Sequence, residues 1–580
     1  MGSNTHLINQ FKLECQGQGA QLSLTNQASG IQTYQVIVED PDPHSDVILS
    51  FRVPAINVRG VWKSHSLLSK RLQADWELDH LNSRVSVDAP VVCVFTHDDR
   101  NFLTFALQDA VNLATMNAII REEDGFIYGF IQLLKEPTES SARYTTEIRV
   151  DFRQLHFSET LQAVGDWWRQ TYPPLKTPVS CYFPIYSTWY SYHQDLDPAV
   201  LLEECRLAFE KGYRTIIVDD GWQTEDNNRG YDFTGDWEPD RIPDMRQFVS
   251  QVHELGMKFM MWYSVPFCGK KSAAYKRFKG RFLTENHRWA PVFDPRYPEV
   301  RSYLISKYVQ AVEQWDMDGL KLDFIDDFKV YPETDLALDP KRDFTSVNQA
   351  VYQLLKEIVE ALQSVKSELM IEFRQQYTGP AVRQYGNMIR AFDCPHDGVT
   401  NRVRTADIKL LGDQVATHSD MITWNYQEPV QCAALQLACS IFSVPQISVR
   451  FKELPTEHVD MIGFYTQYWL NNQQLLMKGQ FKPHDPLLNY PIVTVSNSQK
   501  TIVGWYHPTT VVLPLTPEVD LVNGTLNEEI VLKVENPGSF SLQVWNCMGE
   551  EVDNHDMELS SGLIALKVPP VGIVNLQALN

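Results

Sequence analysis

The chain has 580 residues, too many for one hydrophobic core, and this length predicts two to four domains. A formal net charge of -22 argues against nucleic acid or an anionic membrane as the main partner. No apolar run approaches the length of a transmembrane helix, and the first fourteen residues contain none of signal-peptide length. We therefore expect a cytoplasmic protein, and the composition leaves a homo-oligomer open.

The nine cysteines are odd in number and show neither a CxxC pair nor a Cys/His spacing typical of metal sites. Free thiols in a reducing cytosol are the simplest interpretation of this pattern. We therefore expect neither a metal ion nor a cofactor.

Two β-rich regions enclose the centre of the chain. Residues 1–175 predict an N-terminal β-sandwich that ends in a linker helix over Glu159–Thr171, and residues 486–580 predict a C-terminal antiparallel β-sandwich. The strands are expected at Ile31–Glu39, Asp46–Val53, Val85–Phe95, Tyr144–Phe152, Pro491–Val495, Thr501–Tyr506, Glu529–Val534 and Ser539–Trp545.

Between these regions, residues 176–485 alternate strands with helices, which predicts a (β/α)8 TIM barrel. The alternative, an open doubly wound sheet, would need a glycine-rich phosphate loop, and the sequence has none. The expected strands are Cys181–Ser187, Thr215–Val218, Lys258–Tyr263, Gly319–Asp323, Leu369–Phe373, Met388–Phe392, Gln414–His418 and Gln446–Val449. The expected helices are Pro198–Lys211, Met245–Leu255, Glu299–Trp315, Val347–Ser364 and Gln431–Ser440.

The fourth of these strands alternates apolar residues with Lys321 and Asp323. A lysine beside an aspartate favours the charged form of the carboxyl group, which suits a nucleophile. The structural alternative is a buried Lys–Asp pair that only holds two elements together.

Other predicted strands also end in polar or aromatic residues, and the C-terminal ends of barrel strands meet at the face where active sites lie. An active site at this face is therefore the preferred interpretation. The strand-end residues are Trp189, Asp219, Asp220, Trp222, Trp262, Asp323, Glu372, Arg374, Asp393 and Asp420, and Arg390 is expected to orient or tune the acid on the sixth strand.

Two carboxyl groups on either side of an anomeric carbon are what acetal hydrolysis requires. We assign Asp323 as the nucleophile and Asp393 as the general acid, with Asp397 as the competing acid candidate. Partial burial between Phe392 and Cys394 is expected to keep Asp393 protonated. Asp219 and Asp220 would accept hydrogen bonds from sugar hydroxyls, and Trp222 and Trp262 would offer faces to sugar rings.

Six segments of the barrel resemble motifs of the α-galactosidases of glycoside hydrolase family 36, which shares a clan with family 27. They are VDDGW at Val218–Trp222, DWEPDRIPDM at Asp236–Met245, GMKFMMW at Gly256–Trp262, FDPRYPEVRSYL at Phe293–Leu304, LKLDF at Leu320–Phe324 and RAFD at Arg390–Asp393.

The resemblance implies a retaining, exo-acting hydrolase that releases terminal α-linked galactose from oligosaccharides or glycosides through a covalent glycosyl–aspartate. It implies that Asp323 is the nucleophile, that Asp393 lies in the acid segment, and that the pair Asp219 and Asp220 binds galactose. Together with the other strand-end residues, the substrate-binding set is then Asp219, Asp220, Trp222, Trp262, Lys321, Glu372, Arg374, Arg390, Trp189 and Asp420.

The sequence departs from the family pattern on the fifth strand, where Glu372–Tyr377 replaces a cysteine- and glycine-rich segment that faces the 2-position of the sugar. It also departs after Trp262 and after Phe324. The alternatives are therefore an α-N-acetylgalactosaminidase, or a hydrolase or transglycosylase for another α-linked sugar. From a different class, an inactive sugar-binding protein stays open.

Overall fold

The structure is a computed structural model that describes residues 10–41, 46–77, 79–139, 143–412 and 414–579. The expectation that the first fourteen residues form no signal peptide concerns mainly residues 1–9, which lie outside the described residues. No described helix is both long enough and apolar enough to span a bilayer. All nine cysteines are free thiols, and most of them are buried.

The chain divides into two compact units, and the division into three domains stays a prediction. One unit comprises residues 1–178, 220–246 and 261–389, and the other comprises 179–219, 247–260 and 390–580.

The N-terminal region contains two six-stranded sheets around one apolar core. Strand Ile31–Glu39 shows how the core forms, because every second side chain along it, including Val36 and Val38, is buried. The predicted strand Val85–Phe95 is wrong in its first half, since Asp88 has a left-handed backbone and Pro90 lacks an amide hydrogen.

The strands of the first sheet are Glu14–Gln16, Val47–Pro54, Gln73–Ala74, Leu81–Ser83, Ala114–Ile120 and Phe126–Leu133. Those of the second are Ala20–Ala28, Ile31–Glu39, Val58–Lys63, Val91–Thr96, Asn101–Leu107 and Arg143–Asp151. The linker helix spans Phe157–Trp168.

Eight strands form the central parallel sheet, and parallel bridges between His418 and Val444 and between Ile422 and Ile447 bring its two edges together. The fold class predicted from the sequence, a near-closed (β/α)8 barrel with flanking β-sheets, is confirmed. The barrel strands, numbered first to eighth, are Ile185–Ser187, Thr215–Val218, Lys258–Ser264, Gly319–Asp323, Met370–Arg374, Met388–Arg390, Ala416–His418 and Gln446–Ile447.

The first barrel strand is shorter than predicted, because Val179–Tyr182 forms a 3-10 helix and Pro184 has no amide hydrogen to donate. After the third strand, Phe282–Thr284 and Val292–Phe293 pair as a small antiparallel hairpin. We refer to residues 282–293 as the loop hairpin.

The helices of the barrel region include two that the sequence analysis missed, Gly398–Leu410 and Thr456–Lys478. The first of them buries charged residues such as Arg402, Asp407 and Lys409, so it lacks the apolar stripe by which a helix is recognised. The other long helices are Pro198–Glu210, Met245–Glu254, Pro298–Trp315, Val347–Val365 and Val430–Cys439. Short helices lie at Trp189–Tyr192, Ala273–Arg277, Ile325–Asp327, Pro380–Arg383, Phe451–Glu453 and Pro486–Leu488.

The C-terminal region contains a seven-stranded and a three-stranded sheet. Most pairs are antiparallel, but Lys500–Trp505 runs parallel to Glu518–Asn523. The strands of the larger sheet are Gln480–His484, Ile492–Ser496, Lys500–Trp505, Glu518–Asn523, Gly538–Trp545, Glu551–Leu559 and Ile573–Ala578. Those of the smaller sheet are Val511–Val512, Glu529–Val534 and Gly562–Lys567.

Candidate functional site

Asp323 ends the fourth barrel strand, and its side chain is only 8% exposed. Its Oδ1 accepts hydrogen bonds from Arg374 Nε at 2.5 Å, from the Tyr377 hydroxyl at 3.0 Å and from the Phe324 amide at 2.8 Å. Its Oδ2 accepts a hydrogen bond from Trp262 Nε1 at 3.0 Å. Donors on both oxygens, one of them cationic, hold an ionised carboxylate in one orientation.

The cation beside Asp323 comes from the neighbouring strand. Lys321 and Glu372 are direct partners in the parallel register of strands four and five, and both are buried. Two residues further along, the same face carries Asp323 and Arg374, which form the ion pair. Two sequence patterns therefore face each other across the parallel strands, Lys321-x-Asp323 and Glu372-x-Arg374. The ion pair described for Asp323 is formed by Arg374 rather than by Lys321.

Tyr377 is a site residue that the sequence analysis missed. It lies in the loop after the fifth strand, beyond the strand-end positions on which that analysis relied. Burial and the neighbouring Asp323 carboxylate raise the pKa of Tyr377 well above its ordinary value, so its hydroxyl is a donor to Asp323 at all working pH values. The Arg374 guanidinium lies 5.4 Å from the centre of the Tyr377 ring.

Trp222 has no exposed surface, so its predicted role as a stacking face for a sugar is wrong. Its ring stacks on Trp237 at 5.9 Å, and its Nε1 donates to the carbonyl of Trp262 at 2.9 Å. It therefore supports the third strand from inside the core. Trp262 is 1% exposed and acts on Asp323 through its indole nitrogen rather than through an open face.

Asp219 and Asp220 directly follow the second barrel strand, and both are almost fully buried. The Asp219 amide donates to Thr188 Oγ1 at 3.0 Å, and Asp220 Oδ1 accepts from Gln223 Nε2 at 2.7 Å. Gly221 has a φ of 118°, a conformation that favours glycine, and it turns the chain immediately after the two carboxyl groups.

A second cluster surrounds Arg390 at the end of the sixth strand. Its Nη1 donates to Asp393 Oδ1 at 2.9 Å and also to Asp420. Asp420 is fully buried, and its Oδ2 accepts from the Tyr190 hydroxyl at 2.8 Å and from the Cys394 amide at 2.6 Å. Burial raises the pKa of Asp420 above its ordinary value, although the Arg390 charge opposes this.

The Asp393 side chain is 43% exposed, so the predicted burial of this residue is wrong. The sixth strand ends at Arg390, and Asp393 lies in the loop beyond it, where neighbouring strands no longer cover the chain. Asp397 has a structural task, because its carboxylate caps helix Gly398–Leu410 by accepting from the amide and the hydroxyl of Thr400.

Some of the predicted residues thus lie in two hydrogen-bonded groups, one around Asp323 and one around Arg390. The contacts described for Asp219 and Asp220 are with Thr188 and Gln223. Trp189 begins a short helix, is half-buried, and makes an edge contact with His193 at 5.1 Å. Within the described residues of these two groups, no three His, Cys, Asp or Glu side chains converge as metal ligands would.

A family model and a curated relative each match part of the chain. Residues 179–373 match the family model described as Melibiase, a range that includes Asp219, Asp220 and Asp323 and ends before Asp393. A curated relative, the bifunctional α-galactosidase/sucrose kinase AgaSK of Mediterraneibacter gnavus, is 22% identical over 168 residues. That match covers 27% of this chain and 17% of the relative's length.

Solved structures share the fold over nearly the whole chain. The GH36 α-galactosidase AgaA of Geobacillus stearothermophilus has a TM-score of 0.64 at 13% identity, with 98% of this chain and 88% of that chain covered. The galactosidase domain of AgaSK gives 0.62 at 12% identity, with 98% and 86% covered. The α-galactosidase TtGalA of Thermus thermophilus gives 0.54 at 16% identity, with 82% and 97% covered. The family-model match and the shared fold confirm the predicted resemblance of this chain to the α-galactosidases of glycoside hydrolase family 36.

Proposed function

We propose that the chain is a retaining, exo-acting glycoside hydrolase that releases terminal α-linked galactose, with Asp323 as its nucleophile. The observation that carries this proposal is the environment of the Asp323 carboxylate at the end of the fourth barrel strand. Arg374, Tyr377 and a backbone amide all donate to one oxygen, which fixes the direction of the group and places donors where negative charge is carried. A buried carboxylate that served only to join two elements would not need three donors on one atom.

Asp393 is the general acid and base of the proposal. Its side chain is 43% exposed and accepts a hydrogen bond from Arg390, so it is oriented and accessible to the water molecule that the second step requires. Asp397 is the weaker candidate, because both of its oxygens accept hydrogen bonds from Thr400 at the start of a helix.

The reaction then proceeds in two displacements on one carbon. Asp323 attacks the anomeric carbon while the bond to the leaving oxygen breaks and Asp393 transfers its proton to that oxygen. In the second step Asp393 removes a proton from water, the water oxygen bonds to the anomeric carbon, and Asp323 departs as a carboxylate. Two inversions give net retention.

Galactose is the donor sugar that the relatives support. Structures of AgaA were solved with stachyose and with raffinose, and TtGalA was solved with p-nitrophenyl α-D-galactopyranoside. The buried carboxyl groups of Asp219 and Asp220 are the acceptors that we assign to hydroxyl groups of this sugar.

A different α-linked sugar, such as N-acetylgalactosamine, is the second candidate, because the fifth strand departs from the family pattern at the segment that faces the sugar's second carbon. Arg374 stands where the family pattern has glycine and Tyr377 where it has arginine, and both contact the nucleophile directly. Larger side chains at this position change the space and the donors that meet the substituent on the sugar's second carbon.

A panel of nitrophenyl α-glycosides with different sugars tests the proposal. We expect release of nitrophenol from the α-galactoside, and proton NMR of the first product should show the α-anomer. Release from another α-glycoside alone would establish the second candidate. Binding of sugars without any hydrolysis would establish a sugar-binding protein and would overturn the enzymatic assignment.

A further inference from the structure

A path of aromatic rings leads from the nucleophile to solvent. Trp262, which donates to Asp323, stacks against Tyr231 with ring centres 6.1 Å apart and planes 27° apart. Tyr231 in turn meets the ring of Trp289 edge to face at 5.7 Å. Trp262 is 1% exposed, Tyr231 is half-buried and Trp289 is 43% exposed, so exposure increases along the path.

The fold fixes the outer end of this path. Trp289 lies between the two strands of the loop hairpin, which follows the third barrel strand. The second strand of the hairpin is joined to the end of that barrel strand, since the Phe293 amide donates to the Pro266 carbonyl at 2.8 Å and Phe267 bridges Val292. The exposed indole is therefore held on an anchored hairpin on the same side of the barrel as Asp323.

Polar groups accompany the aromatic path. The Arg288 guanidinium lies over the Trp289 ring, 4.9 Å from its centre. Phe267, which also contacts Tyr231, stacks on His287 with ring centres 5.2 Å apart, and His287 Nε2 lies 3.4 Å from Asp327. Aromatic faces with a few polar groups at their edge are the usual lining of a small-molecule site.

The distances decide which part of a substrate this surface would meet. The anomeric carbon of the donor sugar must come within about 3–3.5 Å of the attacking carboxylate. Trp262 donates to Asp323 directly, whereas Trp289 contacts Tyr231, so Trp289 stands two ring contacts further along the path than the indole that holds the nucleophile. The next ring along an oligosaccharide would meet it.

We propose that Trp289, supported by Tyr231, forms a subsite for the leaving group, where its indole face packs against a hexose ring of an oligosaccharide. This assignment rests on the proposed function and names the part of the substrate that the hairpin recognises. The C–H face of the sugar covers the indole, and Arg288 and the His287–Asp327 pair meet its hydroxyls. Binding of the remote ring lowers the barrier at the reacting carbon, so the subsite favours oligosaccharides over substrates without that ring.

The test compares two substrates that share a donor sugar and differ in the leaving group. Raffinose fills the subsite, whereas α-galactosyl fluoride leaves it empty because its leaving group is a single atom. For Trp289→Ala we expect kcat/KM on raffinose to fall about tenfold, which equals about 1.4 kcal/mol, with the fluoride rate unchanged. Trp289→Tyr, which keeps an aromatic face, should recover most of the loss.

Trp76 supplies the matched control, since it is 65% exposed and lies in the N-terminal region. Trp76→Ala should change neither rate. Equal losses on both substrates for Trp289→Ala would overturn the subsite and indicate a structural or donor-sugar role, and unchanged rates on both would overturn it as well. Wild-type enzyme that hydrolyses neither substrate would refute the proposed function together with the subsite. If the wild type hydrolyses both substrates, the Trp289 variants test the subsite alone.

Discussion

Tyr377→Phe removes one hydroxyl from the environment of the nucleophile and leaves the packing of the ring in place. That hydroxyl lies 3.0 Å from Asp323 Oδ1, and the ring is fully buried against Phe373 and Arg374. In the second chemical step Asp323 departs as an anion, and donors to its oxygen stabilise the charge that develops on it. The variant should therefore slow this step in particular.

The size of the effect follows from the type of bond that is lost. A hydrogen bond to a charged group contributes about 1.5–3 kcal/mol, which corresponds to about 10- to 150-fold in rate. Arg374 and the Phe324 amide still donate to the same oxygen, so we expect a loss near tenfold. The unfolding free energy should fall by only about 1 kcal/mol, because no charge is left unpaired.

The assay is rapid mixing with a dinitrophenyl α-galactoside, whose first step needs little protonation. Tyr377→Phe should show a burst of dinitrophenol followed by a slow steady state, since the glycosyl-enzyme accumulates. Tyr308→Phe is the control, because Tyr308 is equally buried and its hydroxyl has no hydrogen-bond partner among the described residues. An unchanged steady-state rate in folded Tyr377→Phe, or the same change in Tyr308→Phe, would refute the reasoning.

Three further predictions concern carboxyl groups. Asp323→Ala should lose roughly three or more powers of ten in turnover, and azide should give a glycosyl azide of inverted configuration, as NMR would detect. Asp393→Ala should lose most of its rate on poor leaving groups and recover with azide to a retained product, whereas Asp397→Ala should cost about 1 kcal/mol of stability without such selectivity. Burial raises the pKa of Asp88 well above 3.8. The protonated carboxyl group therefore makes its full contribution to the free energy of unfolding below pH 3.8, and this contribution is lost as the pH rises through the raised pKa. Asp88→Asn, which tolerates the φ of 55° at this position, should gain stability over wild type as pH rises from 4 to 8 in denaturant titrations.

Much of the barrel could be predicted because its strands are short, apolar and separated by amphipathic helices. Thr215–Val218 and Gly319–Asp323 have the predicted limits, and the alternation along the second of them placed Asp323 correctly at a strand end. The helix at Gly398–Leu410 was missed because its buried side chains include charges that find partners only in the folded protein, such as Asp407 with the Tyr490 hydroxyl. Periodicity in a single segment carries no information about such distant partners.

The candidate site was predictable to the extent that strand ends define it. The role of Arg374 depends on the register between strands four and five, which the hydrophobic pattern of either strand alone does not specify. Tyr377 returns to the nucleophile from a loop, and loop conformation is set by contacts that the local sequence does not reveal. The exposure of Asp393 was misjudged because its apolar neighbours suggested burial, although the strand had already ended.

The loop that carries Gln375 to Gly379 contacts two connecting segments of the N-terminal region, at Ser66 and Asp88. Gln375 Nε2 donates to Ser66 Oγ at 2.8 Å, the Asp88 amide donates to the Gln376 carbonyl at 2.5 Å, and a Cβ at Gly379 would lie 2.5 Å from the Asp88 carbonyl oxygen. A barrel that begins at residue 176 would therefore lose the contacts that hold the loop after its fifth strand. A chimera that takes its N-terminal region from a relative must therefore keep Ser66, Asp88 and this loop from the same parent protein.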